Sequence, residues 1–154
     1  MAAYFLESSA LVKKYIRERG SDLVAGLIAG ETGEGVYISR LATVEVTSAL
    51  ARLARGGSLS ETELAAALAT FRRDVESVFW VVPVTPSLLD RAAALAELHA
   101  LRAYDAVQLA AVLRVNAQRQ AREASEVTFV SSDKELNEAA MSEGVQVLDP
   151  STRE

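Results

Sequence analysis

The segment 101–113 is a predicted helix that is apolar on nearly every side, which is typical of an element buried inside a domain. It nevertheless carries one carboxylate, Asp105. On a period of about 3.6 residues, Asp105 shares a face with Leu109 and Val112 and should point inward. A buried carboxylate is destabilising unless a cation or hydrogen-bond donors compensate it. The fold must therefore bring such groups to this position.

Five short apolar runs, separated by helical patterns, are predicted to be strands. Strands that are apolar along their whole length and alternate with helices indicate a parallel sheet covered on both faces. The sequence thus predicts an α/β fold, a three-layer sandwich whose central parallel sheet has four to five strands. One domain is expected over residues 1–150, with a loose tail at 151–154. The predicted strands are residues 3–6, 36–38, 79–82, 128–130 and 145–148.

Capping patterns mark the helix starts between these runs. Ser8 or Ser9 is expected to cap a first helix that extends to about residue 16. Ser60 with Glu63 forms a predicted capping box, and Ser132 is expected to cap the last helix. The segment 30–35 is predicted to be a loop.

The composition excludes several classes of site. The chain of 154 residues has no cysteine and a single histidine, which rules out disulfides, thiolate nucleophiles and metal sites built from several imidazoles. Its net charge of −5 argues against broad nonspecific nucleic-acid binding, although a metal bound among acids would invert the charge locally. Because no signal peptide and no apolar run of membrane-spanning length is visible, we expect a cytoplasmic protein.

Four acids are placed to meet at one edge of the predicted sheet. Sites in such sheets form beyond the carboxyl ends of the strands. Glu7 ends the first strand and Asp133 follows the fourth, while Glu45 and Asp105 lie near the starts of predicted helices. Converging carboxylates stay ionised only beside a cation, and oxygen ligands without His or Cys favour Mg²⁺ or Mn²⁺. Such ions activate water and stabilise the charge that develops on a phosphodiester.

Each acid taken alone also has a simpler explanation. Asp105 and Asp133 could be first-turn acids that interact favourably with a helix dipole. Glu45 could be an exposed residue at the edge of a helix face, and Glu7 could be the polar end of a strand. Only the four acids together indicate a metal site.

Four segments of the sequence resemble motifs of PIN-domain ribonucleases, in particular the VapC-type toxins of toxin–antitoxin pairs. The most specific match is Leu-Arg-Ala-Tyr-Asp-Ala-Val-Gln-Leu-Ala at residues 101–110. The others are Tyr-Phe-Leu-Glu-Ser-Ser-Ala-Leu-Val-Lys at 4–13, Val-Glu-Val at 44–46 and Phe-Val-Ser-Ser-Asp-Lys-Glu-Leu at 129–136. The similarity covers nearly the whole chain in the expected order, so the combination is more specific than any single motif.

This resemblance implies a PIN-like fold and a Mg²⁺- or Mn²⁺-dependent endoribonuclease. Ser9 and Ser131 correspond to hydroxyl groups that support the metal shell in the family, although helix capping or turn formation would also explain them. The expected partners are an RNA substrate, a cognate antitoxin protein and a second copy of the chain. The catalytic and metal-binding acids implied by the motifs are Glu7, Glu45, Asp105 and Asp133.

One position departs from the family pattern, because Glu7 stands where the family nearly always has Asp. The extra methylene moves the carboxylate by about one C–C bond, whereas Mg²⁺ requires near-ideal octahedral geometry. The alternative is therefore a catalytically weakened or inactive PIN-domain protein that binds a partner protein through its acidic pocket. Arg40 and Arg102 flank the acid-bearing segments and either contact RNA phosphate or pair with the acids.

Overall fold

The computed structural model describes residues 2–30 and 35–152, which form a five-stranded sheet with helices on both faces. All strand pairs are parallel, and the strand order is β3-β2-β1-β4-β5. The α/β sandwich predicted from the apolar runs is therefore confirmed. The strands are β1 Tyr4–Leu6, β2 Val36–Ser39, β3 Trp80–Val82, β4 Thr128–Val130 and β5 Gln146–Leu148.

The helices alternate with the strands as the sequence predicted, apart from the two ends of the chain. The first helix is shorter than predicted, because the chain tightens into a 3₁₀ turn at Val12–Lys14. A second 3₁₀ turn, Pro150–Thr152, occupies the start of the segment for which a loose tail was expected. Most of the predicted loop 30–35 lies outside the described residues, as do residues 153–154. The helices are α1 Ser8–Leu11, α2 Ser21–Ala29, α3 Ala42–Arg55, α4 Glu61–Ser77, α5 Pro86–His99, α6 Ala103–Ala121 and α7 Lys134–Ser142.

The strands separate two apolar cores, because successive strand residues point to opposite faces of the sheet. Phe5 and Phe129 are fully buried against α5, α6 and α7, with their ring centroids 5.8 Å apart. Leu6 and Val130 are buried on the other face, against α1 to α4. These two cores define the three layers of the sandwich.

Helix α6 is enclosed on all sides over about two turns that follow its exposed start. Every residue from 106 to 112 is buried, so the helix has no solvent-exposed face there. This confirms the interior position predicted for the segment 101–113 over residues 106–112, whereas residues 102–104 are exposed. Asp105 lies just before the enclosed stretch and is half-buried.

Two of the predicted caps are wrong, and both corrections involve candidate site residues. The side chain of Glu7, not that of Ser8 or Ser9, caps α1 by accepting a hydrogen bond from the Ser9 backbone N–H. Asp133 rather than Ser132 caps α7, where its Oδ1 lies 3.0 Å from the Leu136 nitrogen. Carboxylates are stronger acceptors than hydroxyls beside the positive end of a helix, which explains both outcomes. The capping box of Ser60 and Glu63 is confirmed.

The topology decides where these side chains meet. Strands β1 and β4 are neighbours and run in the same direction, so the residues that follow them emerge side by side. The Glu7 backbone N–H donates to the Val130 carbonyl at 3.0 Å and holds this junction together. Within the ranges that the structure describes, no helix is long and apolar enough to cross a membrane.

Candidate active site

Glu7 is held at the end of β1 with its carboxylate turned back toward the start of α1. Its Oε2 accepts hydrogen bonds from the Ser9 backbone N–H at 3.0 Å and from the Ser9 hydroxyl. Only 4% of the residue is exposed. Burial raises the pKa of Glu7 to about 7; hydrogen bonds from Ser9 and Ser131 oppose the rise and the nearby Glu45 adds to it. The Glu7 carboxyl is therefore partly protonated near neutral pH.

Glu45, in the first turn of α3, is held by hydrogen bonds from two side chains. Its Oε1 accepts from the Ser8 hydroxyl at 2.8 Å and from Gln108 Nε2 at 2.7 Å. Gln108 Nε2 also lies 3.0 Å from the Ser8 hydroxyl, which closes a three-residue network. This network joins α1, α3 and α6 across the carboxyl edge of the sheet and fixes the orientation of the Glu45 carboxylate.

Ser8 and Gln108 are functional candidates that the sequence interpretation missed. Gln108 is fully buried, and its Oε1 has no hydrogen-bond partner among the described residues. A polar side chain in the most enclosed part of an apolar helix, three residues after Asp105, was the available signal. Its role depends on contacts with Ser8 and Glu45, which only the folded chain brings together.

Asp105 has a pKa that is affected by three neighbouring acids, whereas the pKa of Glu7 is affected by one. The pKa of Asp105 is raised to about 6, chiefly by burial and also by the charges of Asp133, Glu45 and Glu135, while Arg102 opposes the rise. Among the residues that the structure describes, Asp105 accepts no hydrogen bond. The compensation that the sequence led us to expect at this position is therefore supplied only in part, by the charge of Arg102.

The two serines next to Glu7 tie the ends of β1 and β4 together. The Ser132 backbone N–H donates to the Ser9 hydroxyl at 2.9 Å, and the Asp133 backbone N–H donates to the Ser131 hydroxyl at 3.2 Å. Ser131 also lies close enough to Glu7 to oppose the rise in its pKa. The hydroxyl groups of Ser9 and Ser131 therefore help to position the backbone that follows β4 and the Glu7 carboxylate, where β1 and β4 end.

The four acids influence one another across this edge, although they do not form a closed ligand cage. Repulsion links Glu7 with Glu45, and Asp105 with both Glu45 and Asp133. In the arrangement of residues 2–30 and 35–152, no three acidic or imidazole side chains lie close enough together to hold a metal ion. Glu7 is engaged with Ser9, and Asp133 caps α7. The donor set nevertheless fits a hard divalent cation, because it consists of carboxylates whose mutual repulsion such an ion would relieve.

The two arginines flanking the acids differ in their surroundings. Both side chains are exposed at the edge of the site. Arg102 lies close enough to Asp105 to lower its pKa. Arg40 is fixed through its backbone N–H, which donates to the Val82 carbonyl at 2.8 Å at the end of β3.

Comparison with known proteins places these features in a family. The model of the PIN domain matches residues 4–141. The chain belongs to the PIN-domain family. Among relatives of this PIN domain, ribonuclease VapC45 of Mycobacterium tuberculosis is 41% identical over 119 residues, which are 75% of this chain and 78% of the relative. The resemblance recognised in the sequence is thereby confirmed.

Solved structures share the fold of this PIN domain. FitAcB from Neisseria gonorrhoeae superposes with a TM-score of 0.63 at 17% identity, covering 96% of this chain and 97% of that chain. A toxin–antitoxin complex from Klebsiella pneumoniae gives a TM-score of 0.53 at 18% identity, with coverage of 96% and 97%. At this level of identity the structures support the architecture alone.

Proposed function

We propose that this chain is a cytoplasmic endoribonuclease that hydrolyses RNA phosphodiester bonds at the acidic edge of its sheet, using Mg²⁺ or Mn²⁺. The observation that carries the proposal is the crowding of carboxylates, in which burial and the charges of Asp133 and Glu45 raise the pKa of Asp105. Like charges placed together at strand ends favour a bound cation. The similarity to ribonuclease VapC45 supports RNA as the substrate.

The residues that would hold the metal ion are Asp105, Asp133, Glu45 and Glu7. When bound, such an ion offsets the charge of a phosphodiester and lowers the pKa of a coordinated water. Glu45 needs no reorientation for this role, because Ser8 and Gln108 already hold its carboxylate. A carboxylate that is fixed in advance contributes more to catalysis than one that must be ordered during the reaction.

Glu7 is the acid that we expect to move most when a metal ion binds. Its carboxylate is bonded to Ser9, and its pKa of about 7 leaves it partly protonated at neutral pH. Binding a cation requires the charged form and draws the side chain away from the serine. Because Mn²⁺ suits a wider range of ligand arrangements than Mg²⁺, we expect higher activity with Mn²⁺.

Arg40 and Arg102 are proposed to contact the RNA backbone beside the cleaved bond. Both guanidinium groups are exposed at the ends of segments that carry the acids. A guanidinium can hold a phosphate by two parallel hydrogen bonds, which supplies the positive charge that the acidic edge lacks. Arg102 has a second role, since it already lowers the pKa of Asp105.

We further propose that the chain is the toxin of a toxin–antitoxin pair, that it forms a homodimer, and that a cognate antitoxin covers the acidic edge. Val44 and Tyr104 are 65% and 63% exposed beside Glu45 and Asp105, which provides apolar contacts next to the acids. An extended or helical antitoxin segment that carries an arginine would match this combination. The same fold occurs in a toxin–antitoxin complex from Klebsiella pneumoniae. An inactive, partner-binding protein is not favoured, because the relative at 41% identity is a ribonuclease by name.

The test is cleavage of a single-stranded RNA by the purified chain in EDTA, Mg²⁺ and Mn²⁺. We expect metal-dependent cleavage that is lost in Asp105→Asn and in Asp133→Asn. Asparagine is also a good helix cap, so Asp133→Asn should keep α7 intact. The control is Asp90→Asn, which removes one exposed acid from α5 at a distance from the site. Cleavage that persists in EDTA, or that survives either site substitution, would overturn the proposal.

A further inference from the structure

A second site is indicated by a cleft of about 570 Å³ between the edge strand β3 and the C-terminal half of α6. Its volume lies in the range of about 300–1,000 Å³ that is usual for ligand sites. None of the described residues that line it is acidic, although the whole chain carries a net charge of −5. The polar and aromatic groups in its wall are Tyr37, Trp80, Arg114, Gln118, Arg119 and Arg122.

Trp80, the single tryptophan of the chain, forms one wall of the cleft and is 64% exposed. Tryptophan normally buries a large part of its apolar surface, so this exposure indicates a surface available for a ligand. Gly35 makes room for the indole. A Cβ at residue 35 would lie 2.7 Å from Cδ1 and 2.8 Å from Nε1 of Trp80. The indole can therefore occupy this position only because residue 35 has no side chain.

The arginines opposite Trp80 keep their positive charge available. Arg114 donates to the hydroxyls of Thr85 and Ser87, both at 3.0 Å, and these neutral acceptors leave its charge uncompensated. Arg122 is exposed at the end of α6 and forms no ion pair with any described residue. Each guanidinium retains donors that can bind an anion.

Arg119 differs from these two arginines because it stabilises the wall of the cleft. It is buried, with its guanidinium 5.9 Å from the centre of the Tyr37 ring, and it donates to the Tyr37 hydroxyl at 3.3 Å. It also donates to the backbone carbonyl of Ser125. Arg119 therefore joins strand and helix in the wall of the cleft, which Arg114 and Arg122 also line.

The cleft begins beside the acidic edge and leads away from it. Val82, the last residue of β3, lines the end of the cleft that is nearest the acidic edge. The Val82 carbonyl accepts the hydrogen bond from the Arg40 backbone N–H. Asp105 and Arg114 are nine residues apart on α6, which corresponds to about 14 Å along the helix axis. A strand held at the acids could thus continue past Arg40 into the cleft.

We propose that the cleft binds a nucleotide of a single-stranded RNA outside the cleaved bond, with its base against Trp80 and its phosphate between Arg114 and Arg122. The proposal rests on the proposed ribonuclease function for the identity of the strand, but it concerns residues that take no part in hydrolysis. An aromatic ring facing unpaired arginines matches a base joined to a phosphate, and stacking on tryptophan tolerates any base. The electrostatic part of the binding should weaken as salt rises.

Trp80 supplies the signal for the test, because it is the only indole in the chain. The intact protein is titrated with a 2′-O-methyl RNA octamer while tryptophan fluorescence is followed, and EDTA is present so that no metal ion supports cleavage. We expect saturable quenching, with Kd raised about tenfold or more in Arg122→Gln, the size expected for one lost phosphate or stacking contact. The matched control is Arg72→Gln, an exposed arginine on α4 on the other face of the sheet, which should leave Kd unchanged.

Titrations with other anions distinguish the binding of an RNA strand from the binding of a single nucleotide or of any anion. Adenosine monophosphate, inorganic phosphate and heparin are titrated in the same way. Weaker quenching by adenosine monophosphate than by the octamer, and none by phosphate, supports the proposal. Equal binding of the mononucleotide and the octamer would overturn the assignment to an RNA strand, and heparin matching the octamer would show nonspecific anion binding.

A second variant removes the stacking surface itself. Trp80→Ala lacks the fluorescent probe, so its binding is measured by anisotropy of a labelled octamer, and its melting temperature reports folding. A folded variant with about tenfold weaker binding supports the proposal. A folded Trp80→Ala that binds as tightly as the parent overturns it. Because these experiments contain no metal ion, their failure leaves the metal-dependent cleavage test unaffected.

Discussion

The two sides of the acidic edge differ in how their carboxylates are stabilised. Glu45 receives hydrogen bonds from Ser8 and Gln108, and Glu7 receives them from Ser9. Asp105 is met by no donor among the described residues and instead faces other acids, which raise its pKa together with burial. The hydrogen-bonded side is held by these donors, whereas the side around Asp105 carries like charge that a bound cation would offset. The repulsion that a bound metal ion would relieve is therefore largest at Asp105.

The largest effect is expected from Glu7→Asp, which changes the hydrogen-bonded side. The shorter side chain cannot reach Ser9 in the same way, and it is the residue that the sequence resemblance leads us to expect at this position. We predict up to about a hundredfold faster RNA cleavage with Mg²⁺, the size of effect associated with a misplacement of about 1 Å, and a smaller gain with Mn²⁺. The measurement is kcat for one RNA over a titration of both metals.

A control for Glu7→Asp is Glu138→Asp, which shortens an exposed acid on α7. This variant should cleave RNA at the parent rate. Equal rates for the parent and Glu7→Asp in both metals would mean that Glu7 does not limit the enzyme.

Most of the fold could be predicted because it depends on patterns that are local in the sequence. The apolar runs fixed the strands, and the enclosed helix around Leu109 was correctly placed in the interior. The cap of α7 was assigned one residue too early, since a Ser-Ser-Asp sequence offers three acceptors and only the exact start of the helix selects Asp133. Such a choice depends on the backbone path after β4, which the sequence pattern does not specify.

The candidate site could be predicted as a set of acids but not as a network. Glu7 and Asp133 are far apart in the sequence, and the pairing of β1 with β4 brings their segments together. The bonds of Gln108 to Ser8 and Glu45 cross the edge of the sheet and follow no sequence spacing. The orientation of Glu7 toward Ser9 is likewise a property of the folded chain.

A smaller effect is expected from Gln108→Leu, which removes a donor from Glu45 while nearly preserving the buried volume. The Glu45 carboxylate would keep only the bond from Ser8. We predict about a tenfold loss in kcat with little change in KM, because the substitution alters orientation rather than substrate contact. Gln120→Leu, an exposed position on the same helix, is the control and should retain the parent kcat. An unchanged kcat in a folded Gln108→Leu would contradict the role of this network.

The smallest effect is a pH dependence of the metal-free protein. The folded-state pKa of Glu7 is about 7, above its ordinary value of 4.5, so between these pH values the folded chain binds more protons than the unfolded chain. Stability conferred by the protonated carboxyl is thus fully present below about pH 4.5 and is lost as pH rises to about 7. The loss amounts to at most about 3 kcal/mol, or roughly 6–12 °C in Tm.

Thermal unfolding in EDTA between pH 4.5 and 8 measures this dependence. Glu7→Gln should flatten the curve, since it cannot ionise. Asp105→Asn should remove a weaker component between about pH 4 and 6, where the raised pKa of Asp105 acts. A metal-free protein whose Tm rises steadily over this range would contradict the assignment of burial as the dominant influence on Glu7.

The central claim is that the carboxylates around Asp105 form a cation site, and direct Mn²⁺ binding tests it without relying on catalysis. The measurement is the change in Tm on adding Mn²⁺ at pH 7.5, for the parent, Asp105→Asn and the control Asp90→Asn. We predict that Mn²⁺ raises the Tm of the parent and of Asp90→Asn but not that of Asp105→Asn. We also predict that metal-free Asp105→Asn melts slightly above the parent, because one repelling charge is gone. Equal stabilisation of Asp105→Asn and the parent by Mn²⁺ would contradict the account.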